Sequence, residues 1–249
     1  MTHSVSTKSQ PFAALSPRLA TLDMAALRTA FQANAEFIAI ADFLSAAELA
    51  PLLAALPALE PRVHRNFIPG HKKGGSISRY ELDAHAPAYP AFYRSPALHG
   101  LLEALCGQPL LQCPPDDPHS YALYYYTEAG DHIGYHYDTS YYKGARYTVL
   151  LGLVDESSCR LEYELFRDDS TRATVADSTA LKPGTLVVFN GDKLWHRVTP
   201  SGRGERRVAL TLEYVTTLGI HPLRRFVSNM KDAIAYFGFR QVFAGRKSY

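Results

Sequence analysis

The residues best suited to chemistry in this 249-residue chain lie in the run Gly134-Tyr135-His136-Tyr137-Asp138-Thr139-Ser140. His136 and Asp138 are two positions apart. In extended backbone such residues project to the same face, so an imidazole nitrogen and a carboxylate oxygen can grip one metal ion from one side. A His-x-Asp pair alone arises easily by chance in a chain with 10 histidines. A second run adds a ligand: Asn190-Gly191-Asp192-Lys193-Leu194-Trp195-His196-Arg197-Val198-Thr199-Pro200. It follows an apolar segment, TLVVF, and sets His196 at a strand mouth after a tight turn. Two histidines and one carboxylate on one face leave open positions on a metal. A third run, Gly204 to Glu213, carries Arg206 and Arg207. A planar guanidinium meets a carboxylate through paired hydrogen bonds, so it suits the far end of an anion chelated at the metal.

These side chains need a frame. From residue 120 the sequence is rich in short apolar runs: SYALYYYT, ARYTVLLGLV, CRLEYELF, ATVAD, GTLVVFN, HRVTP and RRVALTLEYV. They are separated by Gly, Pro, Asp or Asn, which is the pattern of strands and turns. Helices come before them. Asp23 can cap a helix over about 24–33, and FIAIADFL reads as a strand. Ser45 and Glu48 have capping-box spacing ahead of a helix over about 46–56, ended by Pro57. Ser95-Pro96 opens a helix over about 96–106, with Gly107 just past its end. MKDAIAYFGF reads as a last helix outside the sheet. The expected architecture is mainly β, a double-sheet jelly roll buttressed by N-terminal and C-terminal helices. The polar, glycine-rich run RNFIPGHKKGGSISRYELD reads as a mobile loop, either a binding loop or a plain connection.

Composition narrows the class. A net charge of +2 and 20% charged residues give no footprint for nucleic acid or membrane. Three cysteines, with no CxxC, argue against a disulfide framework or a structural zinc site. The polar start MTHSVSTKSQPF has no apolar signal core, and no run approaches the ~18 apolar residues of a membrane span. The expectation is a cytoplasmic protein whose oligomeric state the sequence leaves open.

Taken together, His136-x-Asp138, His196 about 60 residues on and an arginine about ten further resemble the iron(II)/2-oxoglutarate-dependent dioxygenase superfamily. The phrases HRVTP and RRVALTLEY are similar to its prolyl-hydroxylase-like branch, as is FIAIADFLSAAELAPLLAAL to that branch's opening strand and helix. The resemblance covers roughly residues 120–216. It implies a double-stranded β-helix of the cupin-like kind and one dioxygenase domain over 1–249. Residues 1–18 would be flexible, 19–118 helical support with a substrate loop, 119–217 the jelly-roll core and 218–249 a C-terminal helical segment. It implies iron(II) on His136, Asp138 and His196, with 2-oxoglutarate and dioxygen as co-substrates. It also implies hydroxylation of a C–H bond with release of succinate and carbon dioxide. The branch's Arg-x-Ala-x-Thr pattern maps onto Arg207, Ala209 and Thr211, which favours Arg207 over Arg206 for the oxo-acid. The family often has a tyrosine at the position of Tyr126 that helps hold the oxo-acid, but each of Tyr124, Tyr125 and Tyr126 taken singly can equally fill the barrel. Halogenases of the superfamily carry a small residue where this chain has Asp138, so hydroxylation is expected over halogenation. Desaturation or cyclisation stays open.

Substrate is legible only in outline. If Arg207 and Thr211 face inward, so does Glu213. A buried acid needs a partner, either a substrate ammonium or a neighbouring Lys or Arg. Arg79, or less readily Arg65, can hold a carboxylate, and Tyr141 and Tyr142 can close over the site. This points to a small zwitterion such as a free amino acid. Nucleobase demethylases of the superfamily carry an arginine where this chain has Glu213, which argues against nucleic acid. A peptidyl hydroxylase of the prolyl type and a metal-free jelly-roll binding module are the alternatives. His132, His119, His64 and His221 lack ligand partners at useful spacing, and Trp195 reads as packing.

Overall fold

The computed structural model describes residues 19–138 and 141–221. The N-terminal stretch expected to be flexible and the helix expected over MKDAIAYFGF lie outside the described residues. Helix α1 is Met24–Ala33, capped by Asp23, whose carboxylate accepts the Ala26 N–H at 3.0 Å. Strand β1 is Phe37–Ile40. The capping box forms: Ser45 Oγ accepts the Glu48 N–H, and Ser45 N–H donates back to Glu48 at 2.7 Å. The helix it opens, α2, covers Ala46–Leu53, shorter than expected. Pro57 does not end it but sits in the first turn of a four-residue helix, α3 (Leu56–Leu59), a position where a missing N–H costs nothing. After α4 (Arg79–His85) and α5 (Ala88–Tyr93), α6 runs Pro96–Cys106 and stops at Gly107 in the left-handed conformation, φ +71°.

The remaining strands are β2 (His64–Ile68), β3 (Lys72–Ile77), β4 (Leu111–Gln112), β5 (Tyr121–Tyr126), β6 (His132–His136) and β7 (Arg146–Glu156). They continue with β8 (Leu161–Leu165), β9 (Val175–Thr179), β10 (Leu186–Asn190), β11 (Trp195–Val198) and β12 (Arg206–Val215). Their antiparallel ladder runs β1-β10-β7-β12-β5-β3-β6-β11-β8-β9, with β2 on β3 and β4 on β12. It curls into a nearly closed jelly-roll barrel flanked by the helices.

One expectation is corrected. The glycine-rich basic run is not a mobile loop: residues 64–77 form the β2–β3 hairpin, and β3 lies inside the sheet between β5 and β6. Lysine and glycine are poor strand formers, so the run carries no β signal. Here the glycines serve close packing. A β-carbon at Gly75 would collide with Val63, and one at Gly74 would meet the Tyr125 carbonyl at 3.3 Å.

Strand alternation sorts the apolar residues into two cores. Val208, Leu210 and Leu212 face the helices, joining Phe31, Leu52, Phe92 and Leu102. Ala209 faces the barrel interior with Tyr126, Ile133, Val187 and Phe189. Each fully buried large apolar side chain contributes roughly 1.5–3 kcal/mol. Cys106, Cys113 and Cys159 are free thiols, and no described helix is long and apolar enough to cross a membrane.

Entry to β6 is set by Asp131. Its buried carboxylate accepts the N–H groups of Thr127 and Glu128, both at 2.9 Å, and the Arg65 fork at 2.9 and 2.6 Å. Arg65 is thereby spent on structure. Burial would raise the Asp131 pKa, but the guanidinium and the two N–H groups outweigh it and hold the carboxyl below its ordinary 3.8. A depressed folded value stabilises the fold above the unfolded pKa and loses that contribution as pH falls through the folded one. Asp131→Asn is expected to cost about 2–3 kcal/mol in urea unfolding at pH 7. The gap to wild type should close as pH drops below 3.8.

Candidate metal centre

His136 ends β6 and His196 lies in β11, and the two are direct cross-strand partners. Their rings meet at 4.3 Å between centroids. Each ring is fixed from behind: His136 Nδ1 lies 2.8 Å from the Gly134 carbonyl and His196 Nδ1 3.0 Å from the Leu194 carbonyl. A carbonyl oxygen only accepts, so Nδ1 carries the hydrogen and Nε2 presents its lone pair. Asp138 follows β6, and its N–H donates to the Gly191 carbonyl at 2.9 Å. Gly191 must be glycine for this contact, because a β-carbon there would lie 2.8 Å from Asp138 Cβ. Asp138 Oδ1 is 3.2 Å from His136 Nε2, and Oδ2 is 3.8 Å from His196 Nε2. One ligand atom from each of the three residues falls within 4.8 Å of the others.

The charges suit a cation. Burial would raise the Asp138 pKa, but the two imidazoles and Arg146 pull it well below the usual carboxylate range. Burial pushes His196 down to about 4 despite Asp138, which keeps its lone pair available at neutral pH. Burial also disfavours charge on His136, yet its bond to Asp138 outweighs that and raises its pKa above the ordinary 6.5.

The parity of β12 sets the two arginines on opposite faces. Arg206 is half-exposed and pairs with Glu60 on the outside. Arg207 is buried inside the barrel, with Cζ 4.8 Å from the centroid of the Tyr126 ring, its cross-strand neighbour. Its Nε and Nη1 have no hydrogen-bond partner among the described residues. Asp155, opposite it in register, reaches Lys182 at 3.2 Å instead. A buried guanidinium with two unmet donors is costly by itself and matches a planar carboxylate. The residues present therefore fit a metal chelated by a dicarboxylate whose far end meets Arg207.

Residues expected near substrate are less open. Arg79 is buried and donates to Ser120 Oγ at 2.8 Å, the Pro114 carbonyl at 3.2 Å and Asp83 at 3.2 Å. None of these partners belongs to the triad. Tyr141 and Tyr142 pack ring to ring, and the Tyr142 hydroxyl donates to buried Asp117 at 2.7 Å. Glu213 does face inward, but the partner it meets is Arg146, whose Nε donates at 2.7 Å. Thr211 is half-buried on the same strand. Sequence reading missed Arg146, Thr148 and Lys72. Lys72 is buried over the Tyr124 ring at 4.7 Å, and its charge reaches His136. Its position in a glycine-rich run hid it. Alternation along ARYTVLLGLV offered a signal for Thr148, because a threonine in an apolar run needs a polar partner. Trp195 packs on the outer face against Tyr135 and Tyr137, as expected.

Comparisons with known proteins agree with this geometry. A family model described as Halogenase D matches residues 61–144, a stretch that includes His136 and Asp138. The search of curated proteins finds no match. Among solved structures, the α-ketoglutarate-dependent epimerase SnoN from nogalamycin biosynthesis superposes with TM-score 0.64 at 15% identity, over 77% of this chain and 82% of that one. AviO1 from Streptomyces viridochromogenes gives 0.61 at 20% identity, over 81% and 98%. A Trichoplax adhaerens prolyl hydroxylase bound to a hypoxia-inducible-factor peptide gives 0.62 at 14% identity, over 85% and 94%. The chain has the fold of the iron(II)- and 2-oxoglutarate-dependent oxygenases. Relatives on that fold include an epimerase, a carbocyclase and prolyl hydroxylases, so the fold itself selects no branch.

Proposed function

We propose that this chain is an iron(II)- and 2-oxoglutarate-dependent oxygenase that hydroxylates a small, amino-acid-like substrate. One observation carries the reading. Two imidazole nitrogens and a carboxylate converge within 4.8 Å inside a barrel that also buries a guanidinium with unmet donors. His136, Asp138 and His196 would hold iron, leaving three positions of an octahedral ion for oxo-acid and dioxygen. Arg207, supported by Tyr126, would take the distal carboxylate of 2-oxoglutarate. Bound there, iron and the oxo-acid supply the oxidising chemistry that breaks a C–H bond, with succinate and carbon dioxide released. The protein's own part is to orient, to neutralise charge and to exclude water. Asp138 supplies a carboxylate ligand, which supports hydroxylation over halide transfer.

One observation supports an amino-acid-like substrate. The triad's surroundings carry both signs of charge: Arg146 is bonded to Glu213, and its charge reaches Asp138 and Asp117. The prolyl hydroxylase that superposes on this chain binds a peptide, which keeps a peptidyl substrate as the second reading. Iron-loaded protein should be assayed for succinate formation with each free amino acid and with proline-containing peptides. Stimulation by one or a few free amino acids is expected. Stimulation by peptides alone would move the assignment to the second reading. Absence of any dioxygen-dependent succinate formation, coupled or uncoupled, would remove the oxygenase reading.

A further inference from the structure

The two oxygens of Asp138 are not equivalent. Oδ1 faces His136 Nε2 at 3.2 Å; Oδ2 stands farther from its nearer imidazole, 3.8 Å from His196 Nε2, and accepts a hydrogen bond from Thr148 Oγ1 at 2.8 Å. Thr148 is buried at 1% exposure in β7 and stands opposite Glu213 of β12 in register. Its hydroxyl has one hydrogen and two candidate acceptors. Asp138 Oδ2 is nearer than the Glu213 oxygens at 3.1 and 3.4 Å, so Asp138 takes the hydrogen. Arg146 reinforces that choice. Its Nε donates at 2.7 Å to Glu213 Oε2, the carboxylate oxygen closer to Thr148, and weakens Glu213 as a competitor. The β-branched side chain is stiff about χ1, which fixes the hydroxyl's aim.

We propose that Thr148, backed by Glu213 and Arg146, is a positioning residue that ties Asp138 Oδ2 away from the metal, so that Asp138 binds through Oδ1 alone. The inference rests on the reading of Asp138 as a metal ligand. Its consequence is a count of coordination sites. One oxygen from Asp138 and one nitrogen from each histidine leave room for a two-point oxo-acid and dioxygen. If Oδ2 were free, it could swing to the metal and take one of those places. Partners one step behind metal ligands tune affinity by about 10–100-fold when lost.

The test uses cobalt(II) as an anaerobic, non-reacting probe, titrated into the full chain without oxo-acid. Thr148→Val keeps the shape and removes the hydroxyl, and Thr148→Ser keeps the hydroxyl. The valine variant is expected to bind cobalt about 10–100-fold more weakly and to show an altered ligand-field absorption spectrum. The serine variant should restore both. A purely structural role would lower thermal stability without changing the spectrum. If the valine variant does not fold, Thr148→Ala must show the same two changes, because it sets no methyl against the carboxylates. Wild-type affinity and spectrum in a folded variant lacking the hydroxyl would overturn the proposal. Failure of the wild-type chain to bind cobalt at all would instead overturn the metal reading beneath it.

Discussion

Asp138→Ala is expected to yield a folded chain that no longer holds ferrous ion and forms no succinate from 2-oxoglutarate. Asp138 contributes the only carboxylate of the converging group. Without it the two imidazoles face a dication with no compensating charge. Iron(II) affinity should fall at least about 100-fold, beyond the loss expected for a supporting partner. The fold should survive, because Asp138 holds the barrel through its backbone N–H to Gly191, which alanine keeps. Thr148 also retains Glu213 as an acceptor. The checks are an anaerobic iron titration, a succinate assay and a thermal melt. Near-normal turnover in this variant would show that the ligand assignment is wrong.

The second large effect belongs to Arg207→Met. With the guanidinium gone, the KM for 2-oxoglutarate should rise about 100-fold. That corresponds to about 3 kcal/mol, within the range for removing one partner of a buried charge pair. The same substitution has an opposite effect on the ligand-free protein. Nε and Nη1 of Arg207 are buried without partners among the described residues, so replacing them by an apolar chain relieves an unmet cost. The variant should therefore melt at or above the wild-type temperature in the absence of oxo-acid. Loss of affinity together with gained stability distinguishes a ligand-binding arginine from a structural one. Arg206→Met removes only the outer ion pair with Glu60 and should change KM less than about twofold.

What the sequence made legible follows from what has a local signature. Capping chemistry at Asp23, Ser45 and Ser95 is written in residue types a few positions apart, and all three caps form. The period-two alternation of β12 sets Arg206 and Arg207 on opposite faces, and only the resemblance to the Arg-x-Ala-x-Thr pattern says which of them turns inward. The β2–β3 hairpin had no such signature. Its lysines and glycines are tolerated as strand because tertiary packing overrides propensity, and a β-carbon at Gly74 or Gly75 would press on the Tyr125 carbonyl or on Val63. Alternation turns Glu213 inward, but its partner, Arg146, lies 67 positions away across the sheet. A sequence gives no means to choose between that partner and a ligand. Arg79 is the same case: its bonds to Ser120 and Asp83 emerge only when α4 packs beside β5.

An anaerobic crystal structure with iron(II) and 2-oxoglutarate is the most direct measurement. It should show one metal ion bonded to Nε2 of His136, Nε2 of His196 and a single oxygen of Asp138, with the oxo-acid's far carboxylate on Nε and Nη1 of Arg207. An ion held elsewhere, or an oxo-acid whose far end avoids Arg207, would contradict the account.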